Sequence, residues 1–392
     1  MRKKLAIVIS HPIQHFCPQY ASLAAHPHLQ IRVFFASALG YKKYVDPNFK
    51  QEIAWDNLRL DAFDHQFLNG EVVLPADKEL DAEGLDEALT AFSPDLVIVH
   101  GYFQKLQRRA YRWARKNGVK LAYIADSERR QKRPAIKEWL KYPYLARYFS
   151  GIDIFLTVGD ANEAYYRHYR VPSRKMVRMH FSIDQHLYQQ AYPSRKELAL
   201  CVRGKFGLND KDLVLSVVGK LVSWKNQVDI VDAMKILEAK GIFLHLFVIG
   251  SGEDKELLEE RSGGLSRSRV IFPGFVKPGD LPGYYAATDI YIHPAAIEPH
   301  SLAISEAIYM GCPVILSDRC GSYGENDDVQ EGRNGLIFAC GNKEELADKI
   351  SSLVRDSVKR EAFGIFSHQL GEKFQKRSHG GFVGELVNRL KK

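Results

Sequence analysis

Glu298 and Glu306 are two carboxylates with seven residues between them, the first in a loop after a hydrophobic run and the second inside the helical pattern that follows. Such spacing arises easily by chance, so their position carries more than the interval does. The start of the helix, Ser301-Leu302, falls between them, and its unpaired N–H groups and positive dipole end can hold a pyrophosphate. One carboxylate is then left for hydroxyl groups on each side, which is the layout of a nucleotide-sugar. Lys220 and Lys225 lie in Gly219-Lys-Leu-Val-Ser-Trp-Lys-Asn226, a loop expected at the carboxyl end of a strand, where cations clamp phosphates. Gly250, in Ile249-Gly-Ser-Gly-Glu253, would let the backbone approach a ligand before the next helix.

A second set of polar residues ends the strands of the first half: His11, Gln14 and His15, then His100 with Tyr102, then Asp126 with Ser127 and Glu128. A polar residue at a strand end is commonly a helix cap. Together these point to a pocket for an acceptor that carries a hydroxyl group.

The elements that must position both sets are short β-branched runs alternating with helical segments. The strands are expected at residues 5–10, 31–36, 95–100, 120–125, 153–158 and 175–181, and then at 213–218, 242–249, 269–272, 289–293, 313–317 and 335–338. Strands separated in this way imply βαβ units and parallel sheets. The expected fold is α/β, with two doubly wound Rossmann-like domains facing across a cleft, over residues 1–190 and 195–365. The polar stretch 185–212 is read as the boundary. Ligands of such sheets bind at the strands' carboxyl ends, so both halves should contribute to one site.

With 392 residues, 45% of them hydrophobic and 26% charged, the chain can build two cores and is not a disordered or fibrous sequence. No apolar run approaches a membrane span, and the start, Met1-Arg-Lys-Lys-Leu-Ala-Ile-Val-Ile-Ser10, reads as a strand rather than a signal peptide. A cytosolic protein is expected, and its five scattered cysteines suit neither a disulfide framework nor a zinc site. The formal charge is +8, yet residues 101–150 alone hold fourteen cationic and three acidic side chains, a net of +11. A patch this local suggests an anionic partner. Trp139, Tyr142, Tyr144, Tyr148 and Phe149 stand beside Lys132, Arg133, Lys137, Lys141 and Arg147, the mixture suited to peripheral docking on an anionic membrane. In the first stretch, Phe103 to Lys116, Phe103, Leu106, Ala110 and Trp113 recur at helical spacing, and it reads as an amphipathic helix with a solvated cationic face.

Four segments carry a resemblance: Gly219-Lys-Leu with Lys225, the Glu298 to Glu306 pair, Glu306-Ala-Ile-Tyr-Met-Gly-Cys-Pro-Val-Ile-Leu-Ser-Asp318, and Gly332-Arg-Asn-Gly-Leu-Ile337. In this order they resemble the GT-B retaining glycosyltransferases of family 4. Residues 152–158 and 182–184 resemble the family more loosely. The resemblance implies that Gly219, Lys220, Lys225, Gly250, His300, Ser301 and Leu302 bind the donor with Glu298 at the transferred sugar and Glu306 at the ribose. It also implies that Asp126, where the family usually has His or Asp, is catalytic together with Glu298, and that a C-terminal helix over about residues 366–392 crosses back onto the first domain. Three departures stand out. Lys220 replaces the usual Arg, Pro299-His300-Ser301 replaces Gly-aromatic-Gly, and Ser10-His-Pro-Ile-Gln-His-Phe16 replaces a glycine-rich loop, as in a subset of bacterial surface-polysaccharide transferases.

The implied reaction moves a sugar from a nucleoside diphosphate to a hydroxyl of a glycan or lipid-linked acceptor, with retention. No cofactor and no metal are expected, because the lysines and helix amides stabilise the leaving diphosphate. Asp210-Lys-Asp212 lies at a strand's amino end, away from the cleft. The rivals are a nucleotide-sugar epimerase of the same architecture and a nucleic-acid-binding protein, and no nucleic acid is expected among the partners.

Overall fold

The computed structural model describes residues 2–46, 51–53, 55, 58–131 and 135–391. Seven parallel strands form the first sheet, in the order His65–Phe67, Leu29–Phe35, Lys3–Ile9, Leu96–His100, Lys120–Ile124, Ile154–Thr157 and Met176–Arg178. Six parallel strands form the second, in the order Arg269–Gly274, His245–Ile249, Val214–Val218, Ile290–His293, Val314–Ser317 and Gly335–Phe338. Helices cover both faces, so central strands such as Ile154–Thr157 and Val314–Ser317 are buried at every residue. The result is the two-domain α/β fold expected from the alternating pattern.

Each sheet reverses its strand order once, beside Lys3–Ile9 in the first and beside Val214–Val218 in the second. In the first, Ile7 pairs with Ile98, and in the second, Leu215 pairs with Ile290. The crevice of a doubly wound sheet opens where the order reverses. His11, His15 and His100 therefore follow the two switch-point strands of one sheet, while Lys220 and Glu298 follow those of the other.

The C-terminal chain ties the two halves together. Helix Ser357–Lys376 lies against helix Leu302–Tyr309, so closely that a Cβ on Gly371 would sit 2.8 Å from the Cα of Tyr309. The chain kinks at His379-Gly380, where Gly380 has φ +146°. Helix Phe382–Lys391 then buries Phe382, Val383, Leu386, Val387 and Leu390 in the core that holds Ile7, Ile98 and Val177. Burial of each such side chain contributes about 1.5–3 kcal/mol, enough to keep this helix on the first sheet.

The polar stretch 185–212 is largely helical, with helices Gln185–Ala191 and Arg195–Lys205. Buried Arg203 anchors the second of these, donating to the carbonyl of Ala287 at 3.0 Å and pairing with Asp289 at 2.8 Å. The edge strand His65–Phe67 and the hairpin Tyr44–Asp46 with Gln51–Ile53 were not foreseen. Among the described residues no helix is long and apolar enough to cross a membrane.

Helix Ala135–Ser150 divides the aromatic cluster that sequence placed at a lipid surface. Tyr148 and Phe149 turn inward with Leu145 and are buried, the first stacked on Tyr111 with ring centroids 4.3 Å apart. Ile136, Trp139, Leu140 and Tyr144 face outward, Trp139 being 75% exposed. Phe103, expected on the buried stripe of the preceding helix Lys105–Lys116, lies before it and is exposed too. Not all the basic residues are free for an outside partner: Arg109 forms a salt bridge with Asp81 at 2.7 Å. Lys132 and Arg133 lie outside the described residues.

Candidate active site

Strand Ile290–His293 delivers His293 and then a loop carrying Glu298. Nε2 of His293 lies 3.0 Å from the Glu298 carboxylate, which also pairs with Lys225 from the neighbouring loop. Burial works to raise the Glu298 pKa, but the His293 contact and the Lys225 charge overcome it and hold the group at about 2. Glu298 is thus an ionised, immobilised carboxylate, fixed by a histidine that sequence reasoning did not single out. Its chain is also clamped: the Ala296 N–H donates to the Trp224 carbonyl at 2.8 Å, which joins the Lys225 loop to the Glu298 loop.

Helix Leu302–Tyr309 begins just beyond, and the N–H of Ser301 donates to Ser322 Oγ at 2.9 Å. The first-turn amides have no partner within the helix. Leu302 packs against apolar cores of both domains. Glu306 accepts from the Tyr285 hydroxyl at 2.8 Å, with the Tyr188 hydroxyl beside it. Burial raises its pKa to about 7, against the pull of the two tyrosines. The two glutamates therefore differ in charge state: Glu298 is held ionised and Glu306 is poised near neutrality.

Gly219 and Gly250 are brought together, but their close approach is to each other's loop. A Cβ on Gly250 would meet the Gly219 carbonyl oxygen at 1.9 Å, and the Gly219 N–H donates to the Ile249 carbonyl at 3.0 Å. The glycine-rich turn therefore packs two loops side by side, where sequence had suggested a ligand. Lys220 lies on the first of these loops, its carbonyl accepting from Gln227 Nε2 at 2.9 Å.

Asp126 follows strand Lys120–Ile124 across the cleft, on a loop pinned from behind. Asn162 Nδ2 donates to the carbonyls of Ala125 and Ser127, both at 2.8 Å, and the Tyr166 hydroxyl donates to Ala125 at 3.0 Å. Burial raises the Asp126 pKa; its own backbone N–H and the charge of His300 oppose this, while Glu298 adds to it. The structure thus brings Asp126, Glu298 and His300 within electrostatic reach of one another from two domains.

His15 lies against Phe16 and Phe181, with ring centroids at 4.3 and 4.8 Å. Burial, reinforced by His300 and His11, pushes its pKa down to about 3. His100, hydrogen-bonded to the Tyr20 hydroxyl at 2.9 Å, falls to about 3 by burial and the presence of His15. His11, beside Ser10 Oγ at 2.9 Å, falls to about 4 by burial. These three rings are neutral at neutral pH and can exchange hydrogen bonds with a hydroxyl. Gln14 is half-buried on the same loop. Tyr102 departs from the set: its ring packs against Tyr144 and Tyr148 of helix Ala135–Ser150, with Lys141 Nζ 5.5 Å from its centroid.

The domains are clasped beside this site. Arg130 donates to the Tyr323 carbonyl at 2.7 Å and to that of Cys320 at 3.2 Å, and Arg319 donates back to the Arg130 carbonyl at 2.7 Å. Sequence counted Arg130 within the basic patch, yet it is spent on the domain interface. Ligand-type atoms of His300, Asp327 and Asp328 lie within 4.8 Å of one another. Protein donors already meet both carboxylates, from Ser305 Oγ and the backbone N–H groups of Asp160 and Asp328, while neither ring nitrogen of His300 has a hydrogen-bond partner. Asp212 stands at the amino end of strand Val214–Val218, with His245 Nε2 at 3.9 Å, away from this cleft.

Two parallel Rossmann-like sheets meeting at their carboxyl ends define the GT-B fold, and residues 202–369 form a domain that matches the family described as glycosyl transferases group 1. HepE of Anabaena, solved in complex with UDP, shares the fold with a TM-score of 0.71 and 17% identity, over 98% of this chain and 99% of that one. Spore coat protein SA of Bacillus subtilis (strain 168) is 29% identical over 180 residues, covering 44% of this chain and 47% of that protein. Sulfoquinovosyl transferase SQD2 of Arabidopsis thaliana is 28% identical over 188 residues, covering 47% of this chain and 35% of that protein. The matched stretch thus spans about half or less of these curated relatives.

Proposed function

We propose that this protein is a retaining, metal-independent glycosyltransferase that moves a sugar from a nucleoside diphosphate to a hydroxyl of a glycan or lipid-linked acceptor. The observation that carries this reading is the placement of Glu298. It is held ionised by His293 and Lys225 ahead of helix Leu302–Tyr309 and acts electrostatically on Asp126 of the other domain. The UDP bound by HepE supports a nucleoside diphosphate donor, and the sulfoquinovosyl transferase relative supports transfer of a sugar.

In this reading the diphosphate lies at the helix N-terminus between Lys220 and Lys225, Glu298 meets the transferred sugar, and Glu306 meets the ribose. The bond from the anomeric carbon to the diphosphate oxygen breaks first, and negative charge grows on the leaving group. Lys220, Lys225 and the first-turn amides stabilise that charge. Asp126 and Glu298 face the positive ring that forms. The acceptor oxygen then bonds to the anomeric carbon on the face the diphosphate leaves, and a departing phosphate oxygen takes the acceptor's proton. His11, His15 and His100, all neutral, orient the acceptor. Exposed Ile136, Trp139, Leu140 and Tyr144 dock the first domain on an anionic membrane, which presents a lipid-linked acceptor to the cleft.

Two alanine variants separate the roles. Glu298→Ala is expected to lower kcat by two or more orders of magnitude, on the order of 3 kcal/mol, whereas Glu306→Ala raises donor KM more than it lowers kcat. Unchanged kinetics in both folded variants would remove the donor site from this loop and helix.

A further inference from the structure

His300 stands where the resembling family carries an aromatic residue, and its surroundings are acidic rather than apolar. Its side chain is 1% exposed, and its Nε2 lies 3.6 Å from both Asp327, 0% exposed, and Asp328, 3% exposed. Neither ring nitrogen has a hydrogen-bond partner. Both carboxylates are fixed from elsewhere. Asp327 accepts from the N–H of Asp160, in the first domain, at 2.7 Å, and from that of Asp328 at 2.9 Å. A Cβ on Gly159 would lie 2.5 Å from the Asp327 carboxylate, so a side chain there would push the first domain away. Asp328 accepts at 2.7 Å from Ser305 Oγ, on the donor-side helix one residue before Glu306.

Two adjacent buried carboxylates are costly unless a cation compensates them. An aromatic residue at position 300 would leave both without one at this face, so the histidine and the acidic pair form a matched set. We propose that His300 is a positioning residue: as a cation held by Asp327 and Asp328, it braces the Glu298 loop against the first domain through Asp160. The brace sets the separation between Glu298 and Asp126. It rests on the functional reading above for its catalytic consequence, while the brace itself is a property of the fold.

The other charged groups around the ring bear on the same proton. Burial and the nearby His15 and His180 disfavour the cation, while Asp327, Asp328 and Asp126 favour it, and the balance lies above the ordinary histidine value. Arg178, paired with Asp160 at 2.6 Å and Glu163 at 2.8 Å, helps keep Asp327 ionised. A histidine raised in the folded state stabilises the protein fully below its unfolded pKa and loses that contribution as pH rises through the folded value.

The test compares wild type with His300→Gln, His300→Phe and Asp328→Asn in three measurements: kcat/KM against pH, nucleoside diphosphate affinity by calorimetry, and thermal stability from pH 6 to 9. His300→Gln is expected to lower kcat about tenfold more than it weakens nucleoside diphosphate binding. The alkaline fall in wild-type kcat/KM should vanish in that variant and move to lower pH in Asp328→Asn. Wild type should also lose stability with rising pH relative to His300→Phe. Parallel kcat and stability profiles in wild type and variants would overturn the proposal, as would one equivalent of metal per chain that is lost on changing His300. Absence of turnover with every nucleotide-sugar would sink the functional reading alone, and the stability profiles would still decide the brace.

Discussion

Glu306 is a carboxyl group enclosed by Tyr285 and Tyr188, and its raised pKa of about 7 has a consequence for stability. Between its unfolded value and about 7 the folded protein holds a proton that the unfolded chain releases. Stability therefore falls as pH rises through that window, by up to about 3 kcal/mol for a shift of this size. Glu306→Gln should remove the dependence and raise the melting temperature at pH 8 relative to wild type, with little change at pH 4.5. An identical pH profile in both proteins would show that the site does not hold Glu306 protonated. The glutamate pair was visible in the sequence because a loop and a helix start put its members on either side of an anion-binding end. Tyr285, Tyr188, His293 and Asn162 were not, since each reaches its partner through the fold and leaves no local spacing signal.

The parallel strands were legible because burial on both faces turns each into a continuous apolar run, as in residues 5–9 and 154–157. Strand His65–Phe67 has three residues and one covered edge, too little for any pattern. Helix Ala135–Ser150 was recognised as a basic aromatic element, but its inward face was misassigned. Leu145, Tyr148 and Phe149 serve the core, and the internal Pro143 and evenly spread aromatics obscure the stripe. The outward face makes its own prediction. The protein should cosediment with vesicles containing anionic lipid, and ~0.5 M salt should weaken this, because each cation near such a surface contributes about 1 kcal/mol that salt screens. Trp139→Ala with Lys141→Ser should reduce binding further and leave donor binding intact. Equal binding to neutral and anionic vesicles, or none to either, would leave a solvated face.

At the scale of the whole molecule, two sheets each present their switch point to one cleft, and a C-terminal helix seated in the first core holds them in register. The chemistry proposed for the cleft uses fixed charges: Lys220, Lys225 and helix amides at the diphosphate, Asp126 and Glu298 at the sugar. Turnover should therefore survive EDTA, and complete loss restored by Mg²⁺ or Mn²⁺ would contradict this. The most direct measurement is calorimetric titration of the purified chain, in EDTA, with UDP, GDP and ADP. One of these should bind at a single site, and Lys225→Ala and Glu306→Ala should each weaken it about tenfold or more. Failure of all three to bind, or binding that neither substitution weakens, would contradict the account.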